Sequence, residues 1–126
     1  MLACRIGMTT CFTCWRSSST LGSDITFGIW NEPNLDKFLF PSSPDLYGDL
    51  FDYADMARSD ANPAARLGGT GAEHGALASG FFASAMARMQ PRLRPQDVIT
   101  VHWYPGLRSP DLLAYMQDTL ARSGHA

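Results

Sequence analysis

Strand-like and helix-like segments alternate along this sequence from about residue 24 onward, and this alternation restricts the possible folds more than any other feature. Three extended runs are each followed by a segment with helical periodicity, and the links between them are short. Such an order is typical of parallel βα units joined by right-handed crossovers. The sequence therefore predicts an α/β fold with about three parallel βα units. Because a closed (β/α)8 barrel takes about 250 residues, and a doubly wound sheet usually takes about five or six strands, we expect the chain to form part of a larger structure.

The first strand-like run, Ile25 to Trp30, ends abruptly in polar residues and a proline. Its residues are apolar or favour β-structure apart from one glycine, as is typical of a parallel strand buried on both faces. Pro33 cannot donate a hydrogen bond within a sheet and disfavours helical geometry at the residue before it. Asn31 and Glu32 should therefore lie at the carboxyl end of the strand. Apolar surroundings raise the pKa of a carboxyl group, so Glu32 is a candidate general acid.

The next segment has the periodicity of an amphipathic helix. Ser43 and Pro44 form a typical helix start, and Asn62 with Pro63 should end the helix. Charged residues fall largely off its apolar side: Asp45, Asp52, Asp55 and Arg58. The predicted apolar side consists of Leu46, Tyr47, Leu50, Phe51, Ala54 and Ala57.

The remaining elements follow in the same way. A short, weak strand is predicted over Ala65–Thr70, and a helix over Gly75–Met89, which a nearby proline ends. The run Asp97–Trp103 is rich in β-branched residues and predicts a second strongly buried strand, again followed by a proline. The Ser-Pro helix start recurs at Ser109. The apolar face of this third predicted helix consists of Leu112, Leu113, Met116 and Leu120.

The composition indicates one domain at most and gives no sign of a nucleic-acid or membrane partner. The chain has 126 residues, 45% hydrophobic content and a formal net charge of -2 without strong clustering. This charge offers no binding surface to a polyanion or an anionic membrane, so a small neutral substrate is the easier fit. No apolar run approaches the roughly 18 residues that indicate a membrane span.

Residues 1–23 are predicted to form an irregular leader. They contain all three cysteines, Cys4, Cys11 and Cys14, of which the last two form a CxxC pair. A zinc site needs four ligands, and the nearest histidine lies sixty residues away, so we expect no metal and no cofactor. The apolar stretches of the leader are too broken to indicate a secretory signal.

Three glycines, Gly68, Gly69 and Gly71, precede the only other glutamate besides Glu32. They do not form a phosphate-binding loop, because neither a Lys-Ser/Thr pair nor the GxGxxG spacing accompanies them. We interpret them as positions of close backbone packing, which disfavours a small doubly wound nucleotide-binding domain. The following Glu73 is interpreted, together with the histidine after it, as a solvated loop residue rather than a catalytic group.

Three short motifs carry a resemblance to a known family: WNEPN at residues 30–34, LGGTG at 67–71 and VHWYPG at 101–106. With this order and spacing, the sequence resembles clan A glycoside hydrolases, and within them most closely family 39, which includes β-xylosidases. The resemblance spans about residues 24–122. It implies a partial (β/α)8 TIM barrel over residues 24–126, in which the three predicted strands correspond to barrel strands four, five and six.

The resemblance also implies roles for individual residues. Glu32 would be the general acid/base, which protonates the departing glycosidic oxygen and then activates water. Asn31 would bind the 2-hydroxyl of the sugar. His102 and Tyr104, two residues apart on one face of the third strand, would line the sugar subsite, with the tyrosine hydroxyl near the nucleophile.

A retaining glycosidase needs a second carboxylate, the nucleophile, roughly 5 to 5.5 Å from the first. The resemblance places it at the end of barrel strand seven, beyond the elements in this chain. Our main hypothesis is therefore a fragment of a retaining O-glycoside hydrolase that contains the acid/base Glu32, lacks the nucleophile and is inactive alone. Its partners would be a carbohydrate substrate and the remainder of the barrel. The alternative is a non-catalytic carbohydrate-binding or interaction module derived from the same barrel.

Overall fold

The computed structural model describes residues 26–104 and residues 114, 117, 118 and 121. In chain order the elements are β1 (Thr26–Gly28), α1 (Pro44–Ala61), β2 (Arg66–Glu73), α2 (Gly75–Ala78), α3 (Phe81–Met89), a 3-10 turn (Gln90–Arg92) and β3 (Val98–His102). No helix in this part of the chain is both long enough and apolar enough to cross a membrane.

The three strands form one parallel sheet in the order β1-β2-β3, so β2 lies in the middle. Phe27 of β1 is opposite Leu67 of β2, and Gly69 of β2 is opposite Ile99 of β3. Helix α1 connects β1 to β2, and helices α2 and α3 connect β2 to β3. The parallel βα units predicted from the sequence are therefore confirmed.

Helix α1 begins and ends where the sequence predicts. The Ser43 hydroxyl accepts hydrogen bonds from two free amides of the first turn, at 3.2 and 3.4 Å, and Pro44 is the first helical residue. At the other end, the amide of Asn62 donates to the carbonyl of Arg58 at 2.9 Å. The buried residues of the helix are Tyr47, Gly48, Phe51, Ala54, Asp55, Ala57 and Arg58.

Two charged residues that the helical pattern placed largely off the apolar side, Asp55 and Arg58, are buried instead. The Arg58 guanidinium is fully buried and pairs with Asp55, at 2.5 Å between Nη2 and Oδ1, and with Asp97. Asp97 also accepts the amide hydrogens of Leu67 at 2.8 Å and of Arg94 at 2.9 Å. Charges are tolerated in a protein interior when they are paired and hydrogen-bonded. This network joins the last turns of α1 to the start of β2 and to the loop before β3.

The helix predicted over Gly75–Met89 is divided into α2 and α3. Gly80, between them, has a φ of 79°, which lies in the left-handed region that glycine adopts without strain. The chain therefore turns at this glycine and starts a second helix, which ends just before Pro91 in the 3-10 turn. Helix α3 packs on α1, with the rings of Phe81 and Tyr47 6.4 Å apart.

A cluster of buried side chains fills the space between one face of the sheet and the helices. It consists of Ile29, Leu39, Tyr47, Phe51, Ala54, Ala65, Leu67, Ala72, Ala76, Phe81, Phe82, Ala85, Met86 and Met89. Gly69 faces this cluster, and a Cβ atom there would come within 2.5 Å of the Met89 side chain. The absence of a side chain allows α3 to approach the middle strand closely, as the sequence interpretation of the glycines requires.

The predicted leader, residues 1–23 with its three cysteines, lies outside the described residues, and so does most of the third predicted helix. The four described residues of that helix are helical and exposed: Ala114, Gln117, Asp118 and Ala121. These four residues have the spacing of one face of a helix, and none of them is one of the predicted apolar positions.

Candidate active site

The carboxyl ends of the three strands meet at one edge of the sheet, and the motif residues gather there. The chain leaves the sheet shortly after β1 and reaches Glu32, while Glu73 is the last residue of β2 and His102 the last residue of β3. Glu73 and His102 are opposite each other in the register of the two strands. This edge is where α/β proteins with parallel strands place their active sites.

Glu32 lies on a turn with an unusual backbone conformation. Trp30 and Glu32 have φ values of 67° and 45°, in the left-handed region that costs residues with a side chain roughly 1–3 kcal/mol each. The amide of Glu32 donates to the carbonyl of Gly71 at 2.9 Å. Gly71 lies at an irregularity in the pairing of β2 with β3, has a φ of 57°, and would bring a Cβ atom within 3.2 Å of the Trp30 carbonyl oxygen. A glycine is therefore needed where β2 supports this turn.

The carboxylate of Glu32 is buried and has two partners on one oxygen. Glu32 is only 4% exposed. The Nδ1 atom of His102 lies 3.2 Å from Oε1, and the hydroxyl of Tyr104 donates to the same oxygen. Three residues predicted from the sequence to belong to the site are thus in direct contact, because His102 and Tyr104 point to the same side of β3 and its extension.

These contacts lower the pKa of Glu32 below its ordinary value of 4.5. Burial acts in the opposite direction and raises the pKa, but the hydrogen bonds from Tyr104 and His102 and the positive charges of His102 and Lys37 outweigh it. The apolar neighbours of the motif alone predict a raised pKa, and the donors at the end of β3 reverse that direction. Glu32 is therefore ionised at neutral pH in this chain.

Tyr104 and Asn31 are the more exposed residues of the predicted site. Tyr104 is 46% exposed, and its pKa is raised, first by its hydrogen bond to Glu32 and then by burial and by the negative charges of Glu32 and Glu73. Asn31 directly precedes Glu32 and is also exposed. Both residues are accessible to a ligand at this edge, and their sugar-binding roles stay predictions.

Glu73 and His74 belong to the same edge of the sheet, although the sequence pattern indicates solvated loop residues. The Glu73 side chain is only 15% exposed. Its carboxylate accepts hydrogen bonds from the amide of Gly75 at 2.9 Å and from the side-chain amide of Asn34 at 3.3 Å, and it contacts the His74 ring. That ring packs edge-on against Tyr104, with centroids 6.4 Å apart. A second, largely buried carboxylate therefore lies at the same edge of the sheet as Glu32, where the sequence pattern predicted a solvated loop.

The side chains at this edge offer proton transfer at a carboxylate and hydrogen bonding to hydroxyl groups. Within residues 26–104 and the four described residues beyond them, no group of three or more His, Cys, Asp or Glu side chains is arranged to bind a metal ion.

Parallel βα units with functional side chains at their carboxyl edge are the arrangement found in part of a (β/α)8 barrel. No family model matches the sequence. A β-xylosidase from Caldicellulosiruptor saccharolyticus is 27% identical over 105 residues, which cover 77% of this chain and 19% of that protein. The crystal structure of a GH39 enzyme from Xanthomonas axonopodis pv. citri matches with a TM-score of 0.59 at 18% identity, over 88% of this chain and 26% of that one.

These similarities confirm the partial barrel fold and the resemblance to family 39 glycoside hydrolases. At 18% identity the structural match shows the fold alone, while the sequence match to the β-xylosidase is independent of it. The chain spans 19% and 26% of the lengths of the two proteins. It is therefore similar to a part of a family 39 glycoside hydrolase.

Proposed function

We propose that this chain supplies the general acid/base, Glu32, of a retaining O-glycoside hydrolase acting on a carbohydrate, and that the nucleophile is a carboxylate outside the chain. The observation behind this proposal is the position of Glu32, a buried carboxylate at the carboxyl edge of a parallel sheet with two partners on one oxygen. The similarity to a β-xylosidase and to a GH39 enzyme supports it.

Glu32 would act twice in the reaction. In the first step, protonated Glu32 gives its proton to the glycosidic oxygen as the bond from that oxygen to the anomeric carbon breaks. The nucleophilic carboxylate forms an ester bond to the anomeric carbon in the same step. In the second step, ionised Glu32 takes a proton from water, whose oxygen bonds to the anomeric carbon and releases the nucleophile.

The surroundings of Glu32 in this chain suit the second step better than the first. A pKa below 4.5 keeps the group ionised, as a general base must be. A second carboxylate roughly 5 to 5.5 Å away would raise this pKa by like-charge repulsion and would lose its own charge in the ester intermediate. The missing carboxylate would thus both attack the sugar and keep Glu32 protonated, so we expect no hydrolysis by the chain alone.

Glu73 does not act as the nucleophile in this proposal. It is the second of the two glutamates in the sequence. Its Oε2 atom accepts hydrogen bonds from Gly75 and Asn34, and its Oε1 atom contacts His74, so both oxygens have partners. A nucleophile needs an oxygen positioned to approach the anomeric carbon.

The other predicted site residues would bind the sugar and set the pKa of Glu32. Asn31, exposed beside the acid/base, would bind the 2-hydroxyl. His102 and Tyr104 would line the sugar subsite while they donate to Glu32. Movement of the Tyr104 hydroxyl from Glu32 to a sugar or to the nucleophile would remove a hydrogen bond that lowers the Glu32 pKa, which favours the protonated acid.

A hybrid enzyme tests the proposal. Residues 26–104 replace the matching segment of the Caldicellulosiruptor saccharolyticus β-xylosidase, and hydrolysis of aryl β-xylosides is measured. We expect Glu32→Gln to lower kcat by about 10²–10⁴-fold, the usual contribution of general acid–base catalysis. The loss should be largest for aglycones that leave poorly, since a good leaving group departs without a proton. The control, Asp60→Asn, changes an exposed carboxylate on α1 and should retain activity.

Two results would contradict the proposal. Full activity of the Glu32→Gln hybrid would show that Glu32 is not the general acid/base. Turnover by the 126-residue chain alone, lost in Glu32→Gln, would show that a group within the chain supplies the nucleophile.

A non-catalytic carbohydrate-binding module is a second candidate, favoured by the ionised state of Glu32 and the exposure of Tyr104. An ionised carboxylate accepts hydrogen bonds from sugar hydroxyls without giving up a proton. Two results together would support this module. The 126-residue chain would bind xylo-oligosaccharides saturably without hydrolysing them, and Glu32→Gln would leave the activity of the hybrid enzyme unchanged. An absence of binding would exclude it.

A further inference from the structure

We propose that Asn34 and Glu73 form a clamp, a reciprocal pair of hydrogen bonds between the motif loop and the end of β2 that positions the Glu32 carboxylate against its partners on β3. The inference rests on the proposed function for the importance of Glu32, and it adds two positioning residues to that site. Neither residue is expected to contact the substrate's reacting atoms.

The Asn34 side chain binds Glu73 with both ends of its amide group. Its Oδ1 atom accepts the backbone N–H of Glu73 at 2.8 Å, and its Nδ2 atom donates to Oε2 of Glu73 at 3.3 Å. The Glu73 carboxylate is fixed in turn by the amide of Gly75 at 2.9 Å and by contact with the His74 ring. Because the two bonds use opposite ends of the amide, they determine the orientation of the Asn34 side chain as well as its distance.

The loop needs such an attachment because its backbone is strained. The left-handed φ values of Trp30 and Glu32 persist only where neighbouring groups favour them over a relaxed conformation. On the N-terminal side of the Glu32 side chain, the backbone amide of Glu32 donates a hydrogen bond to the Gly71 carbonyl. After Glu32, Pro33 has a fixed φ, so an attachment at Asn34 restricts Glu32 as well. The two attachments lie on either side of the acid/base, and both connect it to the end of β2.

Loss of the clamp should therefore be visible in the ionisation of Glu32. The groups that face its carboxylate are His102 at the end of β3, Tyr104 just after it, and Lys37 on the loop of Glu32 itself. Glu73 at the end of β2 and the following His74 lie near Tyr104. If the loop relaxes, Glu32 moves away from the donors that lower its pKa and towards solvent.

The test uses the full 126-residue chain and a carbon-13 label on glutamate carboxyl groups. The sequence contains two glutamates, so the spectrum has two side-chain carboxyl signals, and Glu73→Gln assigns them. We expect Asn34→Ala to shift the titration midpoint of Glu32 upward to the ordinary value of 4.5. The control, Ser43→Ala, removes the cap of α1 and lowers the thermal midpoint without touching the loop, and it should leave the Glu32 titration unchanged.

A second pair of variants separates the hydrogen bond from the charge of Glu73. Glu73→Gln and Glu73→Ala both remove the negative charge, but only glutamine retains an oxygen that can accept from Asn34. We expect the Glu32 midpoint to be higher in Glu73→Ala than in Glu73→Gln. In the hybrid enzyme, Asn34→Ala should lower kcat more than it changes KM. It should also shift the alkaline limb of the pH profile to higher pH, because the first step needs Glu32 protonated.

The inference is overturned if Asn34→Ala lowers stability but leaves the Glu32 midpoint at its native value, since the clamp would then be structural only. If Asn34→Ala does not fold, equal midpoints in the two Glu73 variants overturn it instead. These outcomes are distinct from failure of the proposed function, which is decided by Glu32→Gln in the hybrid and does not affect the titration.

Discussion

Two side chains from the end of β3 act on one oxygen of Glu32, and together they decide its protonation. The Tyr104 hydroxyl is a neutral donor, and His102 contributes both a hydrogen bond and a positive charge. Burial opposes them, because removal of water disfavours the charged carboxylate. The Glu32 pKa is therefore set by a balance between burial and these two donors, and we expect a single substitution at a donor to raise it.

Tyr104→Phe should raise the pKa of Glu32. The substitution removes the first of the contributions that lower this pKa, while the burial that raises it remains. The midpoint is measured by carbon-13 titration of the glutamate carboxyl groups. Tyr53→Phe, at an exposed position on α1, is the matched control and should have no effect. An unchanged or lower midpoint in Tyr104→Phe would show that the hydroxyl does not stabilise the ionised form.

The lowered pKa of Glu32 also predicts how stability depends on pH. The folded state favours the ionised carboxylate relative to the unfolded chain, so this contribution is present above pH 4.5 and is lost as the pH falls through the folded pKa. Urea unfolding of native chain and Glu32→Gln at several pH values measures it. The native chain should lose stability relative to Glu32→Gln as the pH falls below 4.5. A constant difference across this range is the contrary result.

At the scale of elements, local signals predicted the ends of α1 well, because Ser43, Pro44 and Asn62 act through contacts with their own helix. The buried state of Arg58 could not be predicted in this way. Its partner Asp97 is 39 residues away in the sequence, and only the folded sheet brings the two together. A helical pattern records which side of a helix is apolar, and it contains no information about charges that are neutralised from another element.

In the candidate site, too, local sequence signals predicted some features, while others depend on contacts between distant elements. The proline after the first strand-like run predicted the position of Glu32, and a period of two placed His102 and Tyr104 on one face of the third strand. Their selection as site residues came from the resemblance to family 39. Glu73 was interpreted as a solvated loop residue because RLGGTGAE lacks β-branched residues apart from one threonine, so the predicted strand ended at Thr70, three residues before Glu73. The backbone irregularity at Gly71 also interrupts simple alternation, and it follows from packing against the Glu32 turn.

The buried network around Arg58 should matter more for stability than the exposed ion pairs of the same helix. Asp97→Ala leaves the Arg58 guanidinium without one carboxylate and two backbone amides without their acceptor. Loss of one partner of a buried pair costs about 3–5 kcal/mol. Asp52→Ala is the matched control, because it removes an exposed pair with Arg92 that is expected to contribute about 0–1 kcal/mol.

Urea unfolding at neutral pH compares the two variants. Asp97→Ala should lower the free energy of unfolding by several times the effect of Asp52→Ala, or should prevent folding. Similar small effects in both variants would show that water replaces Asp97 as the partner of Arg58.

At the scale of the whole molecule, the outer strands of the described sheet have little cover. In the described residues β1 and β3 each pair with β2 alone, and every residue of β3 is half-buried in spite of its apolar sequence. Ile99 and Val101 pack against the core, so Val98, with the alternate residues of the strand, points to the other face of the sheet. In a closed barrel that face is filled by side chains from the other strands.

Such an edge strand should associate with a second copy of the chain, because a parallel or antiparallel neighbour would satisfy its free backbone groups and cover its apolar side chains. We expect Val98→Lys to reduce this association, since a charge on the open face of β3 opposes the burial of that face. Met56→Lys changes the net charge equally at an exposed position on α1 and serves as the control. Sedimentation velocity over a range of concentrations should show oligomers in the native chain and in Met56→Lys, and a larger monomer fraction in Val98→Lys. A monomeric native chain, or equal effects of the two lysines, would show that β3 is not the surface through which the chain associates.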